Sequence, residues 1–381
     1  DTARMFRSWR PDLRIFAETS GKNAIIVTPH ADIDLAVRDV VASAFGHAGQ
    51  KCSAASLVIL VGSVGFSKRF RNQLVDAVRS LHVGYPQDLS TEMGPLTEKA
   101  SGKLLRGLTE LEPGQSWVLE PKQIDEKLWT PGVRAGVQPG SEFHLTEYFG
   151  PILGIMRADS LEEAVEWQNA VEFGLTGGIH SLDSAEIAYW LDHVQIGNAY
   201  VNRTITGAIV RRQPFGGWKR STVGTGTKAG GPNYLLSLGH VEPEFTHEVE
   251  GPITDTVLRD AHRVAKLIDT TSRTNEILVG MDKALKDEFR GEHDPSGLGV
   301  EINILRYVGF PRVIVRSGEG VALGDLLASA AGAVTLGAGV EVSVTAPLPP
   351  ALSEFFADHE VKVTIEAEEA WHRRAGGLSI N

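Results

Sequence analysis

A thiol and a distant carboxylate are the groups in this sequence best suited to chemistry. Cys52 is the only cysteine among 381 residues, and it follows Gly46 and Gly49, which let the backbone bend closely around another molecule. Glu18 ends the apolar run 13–17, where desolvation would raise the pKa of its carboxyl group toward that of a useful base. The two residues are candidates for a nucleophile and its general base.

Each residue of this pair also has a simpler interpretation. A free cysteine is more often a small buried apolar residue than a nucleophile, and a glutamate at a strand end is more often solvated. His47 could pair with Cys52 as in a hydrolase, but no local protease signature surrounds the two residues. Lys51 could stabilise a thiolate, whereas the C-terminal end of the preceding helix would oppose it. The other motifs decide between these interpretations.

Two further stretches could bind ligands. In Glu147-Tyr148-Phe149-Gly150-Pro151 the carboxylate could hold ribose hydroxyls and Phe149 could press on a flat ring, although a simple turn is the alternative. Residues 206–221 combine small residues, whose backbone N–H groups can contact an anion, with four basic side chains; a basic surface loop is equally compatible. Residues 224–229 fit a dinucleotide-binding glycine pattern, but no strand precedes them, so that interpretation is rejected.

The elements that must position these groups alternate between strands and helices. Short apolar runs predict strands at 13–16, 24–27, 57–61, 117–119, 152–156 and 199–201. Amphipathic patterns predict helices near 2–9, 33–45, 66–81, 97–108, 160–169 and 183–193, the second of them capped by Asp32. This alternation predicts an α/β domain with a largely parallel sheet.

The pattern changes near residue 240. Residues 240–256, rich in Glu, Pro and His, are predicted to form a connector, and residues 255–285 a helical stretch. From residue 313 onward, strands at 313–316, 340–345 and 361–365 alternate with helices at 321–335 and 350–359. These residues predict a second, smaller α/β unit.

The composition is that of an ordinary globular protein and excludes several classes of function. A net charge of −11 argues against non-specific binding to nucleic acid or to an anionic membrane surface. No apolar run approaches the ~20 residues that a membrane-spanning helix needs. One cysteine provides neither an internal disulfide nor a thiolate metal cage, so we expect a reducing compartment, the cytoplasm, and no metal.

Together, the motifs resemble those of the aldehyde dehydrogenase superfamily, and four of them occur in that family's order. They are Glu18-Thr19-Ser20-Gly21-Lys22, Gly49-Gln50-Lys51-Cys52, Glu147-Tyr148-Phe149-Gly150-Pro151 and Pro214-Phe215-Gly216-Gly217-Trp218-Lys219-Arg220-Ser221. Residues 45–56, 206–215 and 228–235 are most similar to the branch that oxidises L-glutamate γ-semialdehyde, also called Δ1-pyrroline-5-carboxylate dehydrogenase. Beyond residue 240 the chain is similar to the C-terminal region of proline utilization A, in which this activity is fused to an FAD-dependent proline dehydrogenase.

The resemblance implies NAD-dependent oxidation of the semialdehyde to L-glutamate, the second step of proline catabolism. Cys52 would attack the aldehyde to give a thiohemiacetal, hydride would pass to NAD, and a thioester would remain. Glu18 would then activate the water that releases glutamate. Glu147 would hold the nicotinamide ribose and Phe149 would pack beside the nicotinamide. The backbone N–H of Cys52 would be one donor of the oxyanion hole.

The resemblance also implies a substrate site and partners. Ser53 and the backbone amides of Gly207 and Ala208 resemble the anchor for the substrate's α-carboxylate, and Phe215 would line the aldehyde tunnel. A homo-oligomer is implied, and a proline dehydrogenase domain in the same parent chain is compatible with the resemblance. Another small aldehyde as substrate, or a non-catalytic assembly scaffold, stays open as an alternative.

The implied fold class is α/β, with an aldehyde-dehydrogenase-like catalytic domain built on a parallel sheet, lacking most of the N-terminal dinucleotide-binding domain, and followed by a smaller α/β domain. Residues 1–20 would end the NAD-binding domain, 21–240 form the catalytic domain, 241–300 a connector and helical segment, and 301–381 a Rossmann-like unit. The chain is therefore expected to be a fragment that is inactive alone. Thr222 replaces a usual glycine, so strain or a different conformation is expected there.

Overall fold

The computed structural model describes residues 2–224, 228–240, 251–268 and 272–376. The chain divides into two compact units, Asp1–His240 and Val241–Asn381, and each is described by itself. Within the described residues, no helix has both the length and the apolar character needed to cross a membrane.

Within its described residues, the first unit contains seven α-helices, three short 3-10 helices and eleven strands. The helices are α1 Thr2–Trp9, α2 Ile33–Phe45, α3 Lys68–Ser80, α4 Gly102–Thr109, α5 Glu142–Leu145, α6 Leu161–Asn169 and α7 Ser184–His193. The strands are β1 Ala17–Glu18, β2 Asn23–Val27, β3 Ala55–Val61, β4 Ser116–Leu119, β5 Gly132–Ala135, β6 Ile152–Ala158, β7 Phe173–Gly174, β8 Thr176–His180, β9 Asn198–Val201, β10 Trp218–Lys219 and β11 Thr222–Val223.

A seven-stranded sheet in the order β4-β5-β6-β3-β2-β8-β9 forms the centre of this unit. Neighbouring strands from β5 to β9 run parallel, and β4 pairs antiparallel with β5. Strands β2, β3 and β6 are almost entirely buried, as expected where both faces of a parallel sheet are covered. The predicted α/β alternation around a largely parallel sheet is therefore confirmed.

Several predicted elements match the structure closely. Helix α2 begins after Asp32, whose side chain accepts hydrogen bonds from the N–H groups of Asp34 and Leu35, as the capping prediction requires. The buried run 57–61 lies in β3, and the run 152–156 lies in β6. Two strands of the sheet, β5 and β8, were not predicted.

Two predicted elements were wrong. Residues 13–16 form no strand; the chain becomes extended only in β1, which pairs antiparallel with β11 in a separate two-stranded sheet. The predicted helix at 97–108 is present only in its second half, as α4. The N–H of Thr97 instead donates to the side chain of Gln50 at 2.9 Å, which gives this backbone group a non-helical partner.

The second unit is a three-stranded parallel sheet packed with helices. Its strands are β12 Arg312–Ser317, β13 Gly339–Val344 and β14 Lys362–Ile365, in that order. Its described helices are α8 Thr256–Leu267, α9 Ser272–Ala284, α10 Leu323–Thr335, α11 Pro350–Asp358 and α12 Glu368–Gly376. The core joins Leu258 of α8, Leu327 of α10, Val342 of β13 and Phe356 of α11.

The smaller α/β unit expected from residue 313 is thus confirmed, while its details differ. The single helical stretch predicted at 255–285 consists of α8 and α9, and α12 was not predicted. Most of the predicted connector, residues 241–250, lies outside the described residues, as do residues 225–227 of the rejected glycine pattern.

Candidate active site

The Glu18 carboxylate is held at both oxygens by the segment that pairs with β1. Its Oε2 accepts a hydrogen bond from the backbone N–H of Gly217 at 2.8 Å, and its Oε1 accepts one from the Thr222 hydroxyl at 3.3 Å. Desolvation raises the pKa of Glu18 although part of the residue stays exposed, while these two hydrogen bonds and the charge of Lys228 lower it. An oriented carboxylate with a raised pKa is what a general base requires.

Thr222 adopts a different conformation rather than a strained one. It lies in the extended strand β11 directly opposite Glu18 and is not among the residues with positive φ. The preceding residue, Ser221, is fully buried; its hydroxyl donates to the carbonyl of Ser20 at 2.7 Å and accepts from the N–H of Gly174 at 3.0 Å. The Pro214–Ser221 motif is therefore attached to the Glu18 motif.

The loop that carries Cys52 begins with a strained turn. After α2, His47, Ala48 and Gly49 take left-handed φ values of 54°, 55° and 66°. A left-handed conformation costs a residue with a side chain roughly 1–2 kcal/mol, so other contacts must stabilise this turn.

A buried polar clamp holds the residues that follow this turn. The side-chain amide of Asn23 donates to the carbonyls of Cys52 and Ala54 at 2.8 and 3.0 Å. Its carbonyl oxygen accepts from the N–H of Thr176 at 3.2 Å, and the Thr176 hydroxyl donates to the carbonyl of Ser53 at 3.2 Å. Asn23 and Thr176 are almost fully buried, so the clamp ties the cysteine loop to the first residues of β2 and β8. Sequence reasoning assigned no role to either residue.

The Cys52 thiol lies within the influence of two carboxylates. Partial burial is the largest cause that raises the pKa of this thiol, and the charges of Glu147 and Glu18 raise it further. Hydrogen bonds from the backbone N–H groups of Ser53 and of Cys52 itself lower it. The thiol therefore holds its proton more tightly than a free cysteine, and a base must accept that proton before the sulfur can attack. The Cys52 loop also packs against the Glu18 motif, because a Cβ atom added to Gly21 would lie 2.5 Å from the carbonyl oxygen of Cys52.

The Glu147 motif contacts both of the other motifs. Oε1 of Glu147 accepts a hydrogen bond from the N–H of Gly21 at 3.0 Å, and the side chain of Gln50 donates to the carbonyl of Phe149 at 3.2 Å. Phe149 has a left-handed φ of 58° and an exposed ring. An exposed aromatic ring beside a fixed carboxylate could contact the ring and ribose of a nucleotide.

Lys22 is a third residue to which the sequence assigned no role. It lines the cavity between the Glu18, Cys52 and Glu147 motifs, is 3% exposed, and its Nζ has no hydrogen-bond partner among the described residues. The ammonium lies 4.2 Å from the centroid of the Phe143 ring and 5.5 Å from that of Tyr148. Burial lowers its pKa to about 7, with the charge of Arg134 acting in the same direction. The motif spacing gave no signal for this burial.

The residues expected to bind substrate occupy different environments. Ser53 is buried, Phe215 is half-buried, and Gly207 and Ala208 are exposed. Backbone hydrogen bonds of 3.0 and 2.7 Å join Phe215 to Ala229, and the carbonyl of Gly207 accepts from the Tyr200 hydroxyl at 3.1 Å. Their grouping around one ligand stays a prediction.

Residues 10–241 match the aldehyde dehydrogenase family, more than half of the chain. The chain belongs to this family. The family's match ends where the first compact unit ends, so the Cys52, Glu18 and Glu147 motifs all lie within it.

Curated aldehyde dehydrogenase relatives carry a more specific name. A 1-pyrroline-5-carboxylate dehydrogenase of Geobacillus sp. (strain WCH70) is 38% identical over 226 residues, which are 58% of this chain and 43% of the relative. The enzyme of the same name from Bacillus subtilis (strain 168) is 36% identical over 238 residues, 62% of this chain and 45% of the relative. The chain thus spans less than half the length of these relatives.

One solved structure extends the similarity to the second unit. Proline utilization A from Corynebacterium freiburgense is 46% identical, with a TM-score of 0.79, over 96% of this chain and 38% of that chain. A 1-pyrroline-5-carboxylate dehydrogenase from Thermus, solved with bound NAD, is 36% identical with a TM-score of 0.53 over 58% of this chain and 43% of that chain.

Proposed function

We propose that the protein containing this chain oxidises L-glutamate γ-semialdehyde, formed from Δ1-pyrroline-5-carboxylate, to L-glutamate with NAD. This is the second step of proline catabolism. The observation that carries the proposal is the contact of the Glu18 motif with the other two motifs. The N–H of Gly21 donates to Glu147 at 3.0 Å, and a Cβ atom added to Gly21 would lie 2.5 Å from the carbonyl oxygen of Cys52. Family membership supplies the reaction class, and the names of the relatives supply the substrate.

Cys52 and Glu18 divide the chemistry between them. The Cys52 sulfur, once deprotonated, attacks the aldehyde carbon, and the backbone N–H of Cys52 donates to the oxygen that becomes negative. When bound, the cofactor supplies the acceptor for the hydride that leaves this carbon, and a thioester remains on the sulfur. Glu18 takes a proton from water, which attacks the thioester carbon and expels the thiolate. The product is the carboxylic acid.

Residues on one side of Cys52 fit the nicotinamide end of the cofactor. Glu147 would accept hydrogen bonds from the ribose hydroxyls, and the exposed ring of Phe149 would lie against the nicotinamide. The hydrogen bond from Gly21 and the Gln50 contact orient this segment. We propose NAD rather than NADP because the Thermus relative was solved with NAD.

Ser53, Gly207 and Ala208 would receive the substrate's α-carboxylate, and Phe215 would line its path.

We further propose that residues 1–20 end the NAD-binding domain and 21–240 form the catalytic domain, with a connector and helical segment at 241–300 and a separate domain at 301–381. Similarity to proline utilization A supports a proline dehydrogenase domain, FAD-dependent in our proposal, in the same parent chain. We also propose a homo-oligomer, from the family resemblance, and a cytoplasmic setting, from the single cysteine.

The test measures NADH formation by the purified full-length protein with L-glutamate γ-semialdehyde. Cys52→Ala should abolish the reaction, whereas Ser56→Ala, four residues along the same segment, should retain it. An uncharged aliphatic aldehyde should react far more slowly, because it cannot use the carboxylate anchor. Full activity of Cys52→Ala would refute the mechanism, and equal rates for the two aldehydes would refute the substrate.

A further inference from the structure

A lysine to which the sequence analysis assigned no role lies behind the Glu18 carboxylate. The Nζ of Lys228 donates hydrogen bonds to the carbonyl of Gly216 at 2.9 Å and to the side chain of Asn198 at 3.2 Å, and also to the carbonyl of Gly197. Burial lowers the pKa of Lys228 to about 8, and the negative charge of Glu18 opposes that shift. The ammonium is thus desolvated but surrounded by three oxygen acceptors.

One peptide group connects this ammonium to Glu18. The carbonyl of Gly216 accepts from Lys228, and the N–H of the same peptide, that of Gly217, donates to Oε2 of Glu18 at 2.8 Å. In a trans peptide the C=O and N–H point in opposite directions, so the group spans the gap between the two charges. A cation at the carbonyl polarises the peptide and strengthens its N–H as a donor.

Close packing holds this peptide in place. A Cβ atom added to Gly197 would lie 1.8 Å from the carbonyl oxygen of Gly216. A Cβ atom added to Gly217 would lie 2.7 Å from the Cβ of Ser221 and 3.2 Å from Oε2 of Glu18. Neither position leaves room for a side chain, so the peptide cannot move away from the carboxylate without displacing neighbouring backbone.

We propose that Lys228 is a positioning residue for Glu18: through the Gly216–Gly217 peptide it holds the N–H of Gly217 on the carboxylate and keeps the carboxylate ionised. An ionised Glu18 is the form that can take a proton from water. This inference rests on the proposed function for the role of Glu18 as a base, while the contact itself does not depend on the substrate.

The charged and titratable groups that act on Glu18 are few. Lys228 is the charge that lowers the pKa of its carboxyl group, and Cys52 is the thiol whose pKa it raises in turn. Arg220 belongs to the segment opposite Glu18 but is paired with Glu172 at 2.5 Å. A change in the titration of Glu18 can therefore be traced to Lys228.

The single thiol provides a direct readout of that titration. The rate of Cys52 alkylation by iodoacetamide follows the thiolate population, and ionisation of Glu18 lowers that population by raising the thiol pKa. The rate measured against pH should therefore show an inflection that Glu18→Gln removes. In Lys228→Met the inflection should move to higher pH. For each pH unit by which the inflection rises, the ionised fraction of Glu18 at a pH below the inflection falls about tenfold.

Matched variants distinguish the positioning of Glu18 by Lys228 from a general stabilisation of residues 214–221. Lys219 lies in the Pro214–Ser221 motif, two residues after Gly217, and its ammonium also donates to two backbone carbonyls, those of Asn169 at 2.5 Å and Val171 at 3.2 Å. Lys219→Met should leave the inflection in place. If Lys228→Met does not fold, Lys228→Gln, which retains a donor without the charge, should show the same movement, and Lys228→Arg should restore the original midpoint.

The proposal is overturned if the Lys228 and Lys219 variants give the same alkylation profile. Its failure is distinct from failure of the proposed function. A protein that forms no NADH from the semialdehyde but still shows the movement in Lys228→Met would refute the function and retain the positioning role. In an active protein, Lys228→Met should lower kcat below the inflection more than it changes KM.

Discussion

Gly49→Ala should separate the cysteine loop from the Glu147 loop. Gly49 has a φ of 66°, and a Cβ atom added there would lie 2.2 Å from the carbonyl oxygen of Gly150. The obstacle is backbone rather than the end of a flexible side chain, so one of the two loops must move. Gln50, whose side chain donates to the carbonyl of Phe149 at 3.2 Å, follows directly and would lose its alignment.

The cost of this substitution has two parts. A left-handed conformation costs alanine about 1–2 kcal/mol, and inserting a methyl group into a packed region costs about 1–3 kcal/mol. The free energy of unfolding of the first unit should therefore fall by about 2–5 kcal/mol. His47 and Ala48 already occupy left-handed conformations in the same turn, so the neighbouring backbone has little freedom to relax.

Gly46→Ala is the matched control, three residues earlier in the same segment. A Cβ atom there meets nothing within 4 Å, and φ and ψ of −51° and 132° suit any residue. It should change the free energy of unfolding by less than about 1 kcal/mol. Urea unfolding followed by circular dichroism compares the variants, and Cys52 alkylation, which should accelerate in Gly49→Ala, reports on the loop. Equal midpoints and equal alkylation rates would refute the reasoning.

Two further substitutions test the charges of the site. Lys22→Met should stabilise the first unit by about 1–3 kcal/mol at pH 7 or below, because it removes the cost of a buried ammonium and leaves the apolar contact with Phe143. The folded-state pKa of about 7 lies below the usual value of 10.5, so stability of the native chain rises with pH between these values, and urea unfolding of Lys22→Met should lose that dependence. Glu147→Gln should lower the Cys52 thiol pKa and accelerate alkylation at neutral pH; an unchanged rate would contradict the proximity of the two groups.

The sequence predicted elements whose signals are local. Helix α2 carried a capping residue at Asp32 and an apolar face, and β3 was a continuous apolar run, so both were identified from their own residues. Strand β8 was missed because Thr176-Gly-Gly-Ile-His180 contains two glycines, which are poor strand formers. Its place is set by pairing with β2 on one side and β9 on the other. Such pairing depends on the assembled sheet, so the residues of β8 alone do not predict the strand.

The wrong helix at 97–108 has a similar cause. Its residues have helical spacing, but the N–H of Thr97 donates to Gln50 and the N–H of Leu96 to the carbonyl of Lys127 at 2.9 Å. These partners are distant in the sequence, and they stabilise a loop that local propensity does not predict. The same loop orients Gln50 beside Cys52, so the departure from the local pattern occurs at the candidate site.

The contact that the Pro214–Ser221 motif makes with Glu18 could not be predicted from the types of its side chains. For residues 206–221 the sequence predicted either an anion contact by backbone N–H groups of small residues, aided by four basic side chains, or a basic surface loop. Two of those basic side chains are engaged within the protein, because Arg220 is paired with Glu172 and Lys219 donates to backbone carbonyls. The group that contacts a carboxylate is the backbone N–H of Gly217, which carries no sequence signal beyond the absence of a side chain. Its partner is Glu18 of the same site rather than a ligand. The charge behind it comes from Lys228, outside the motif. The residues that set the state of the proposed base are therefore brought together by the pairing of β1 with β11 and by the approach of Gly197 to Gly216, which only the folded chain displays.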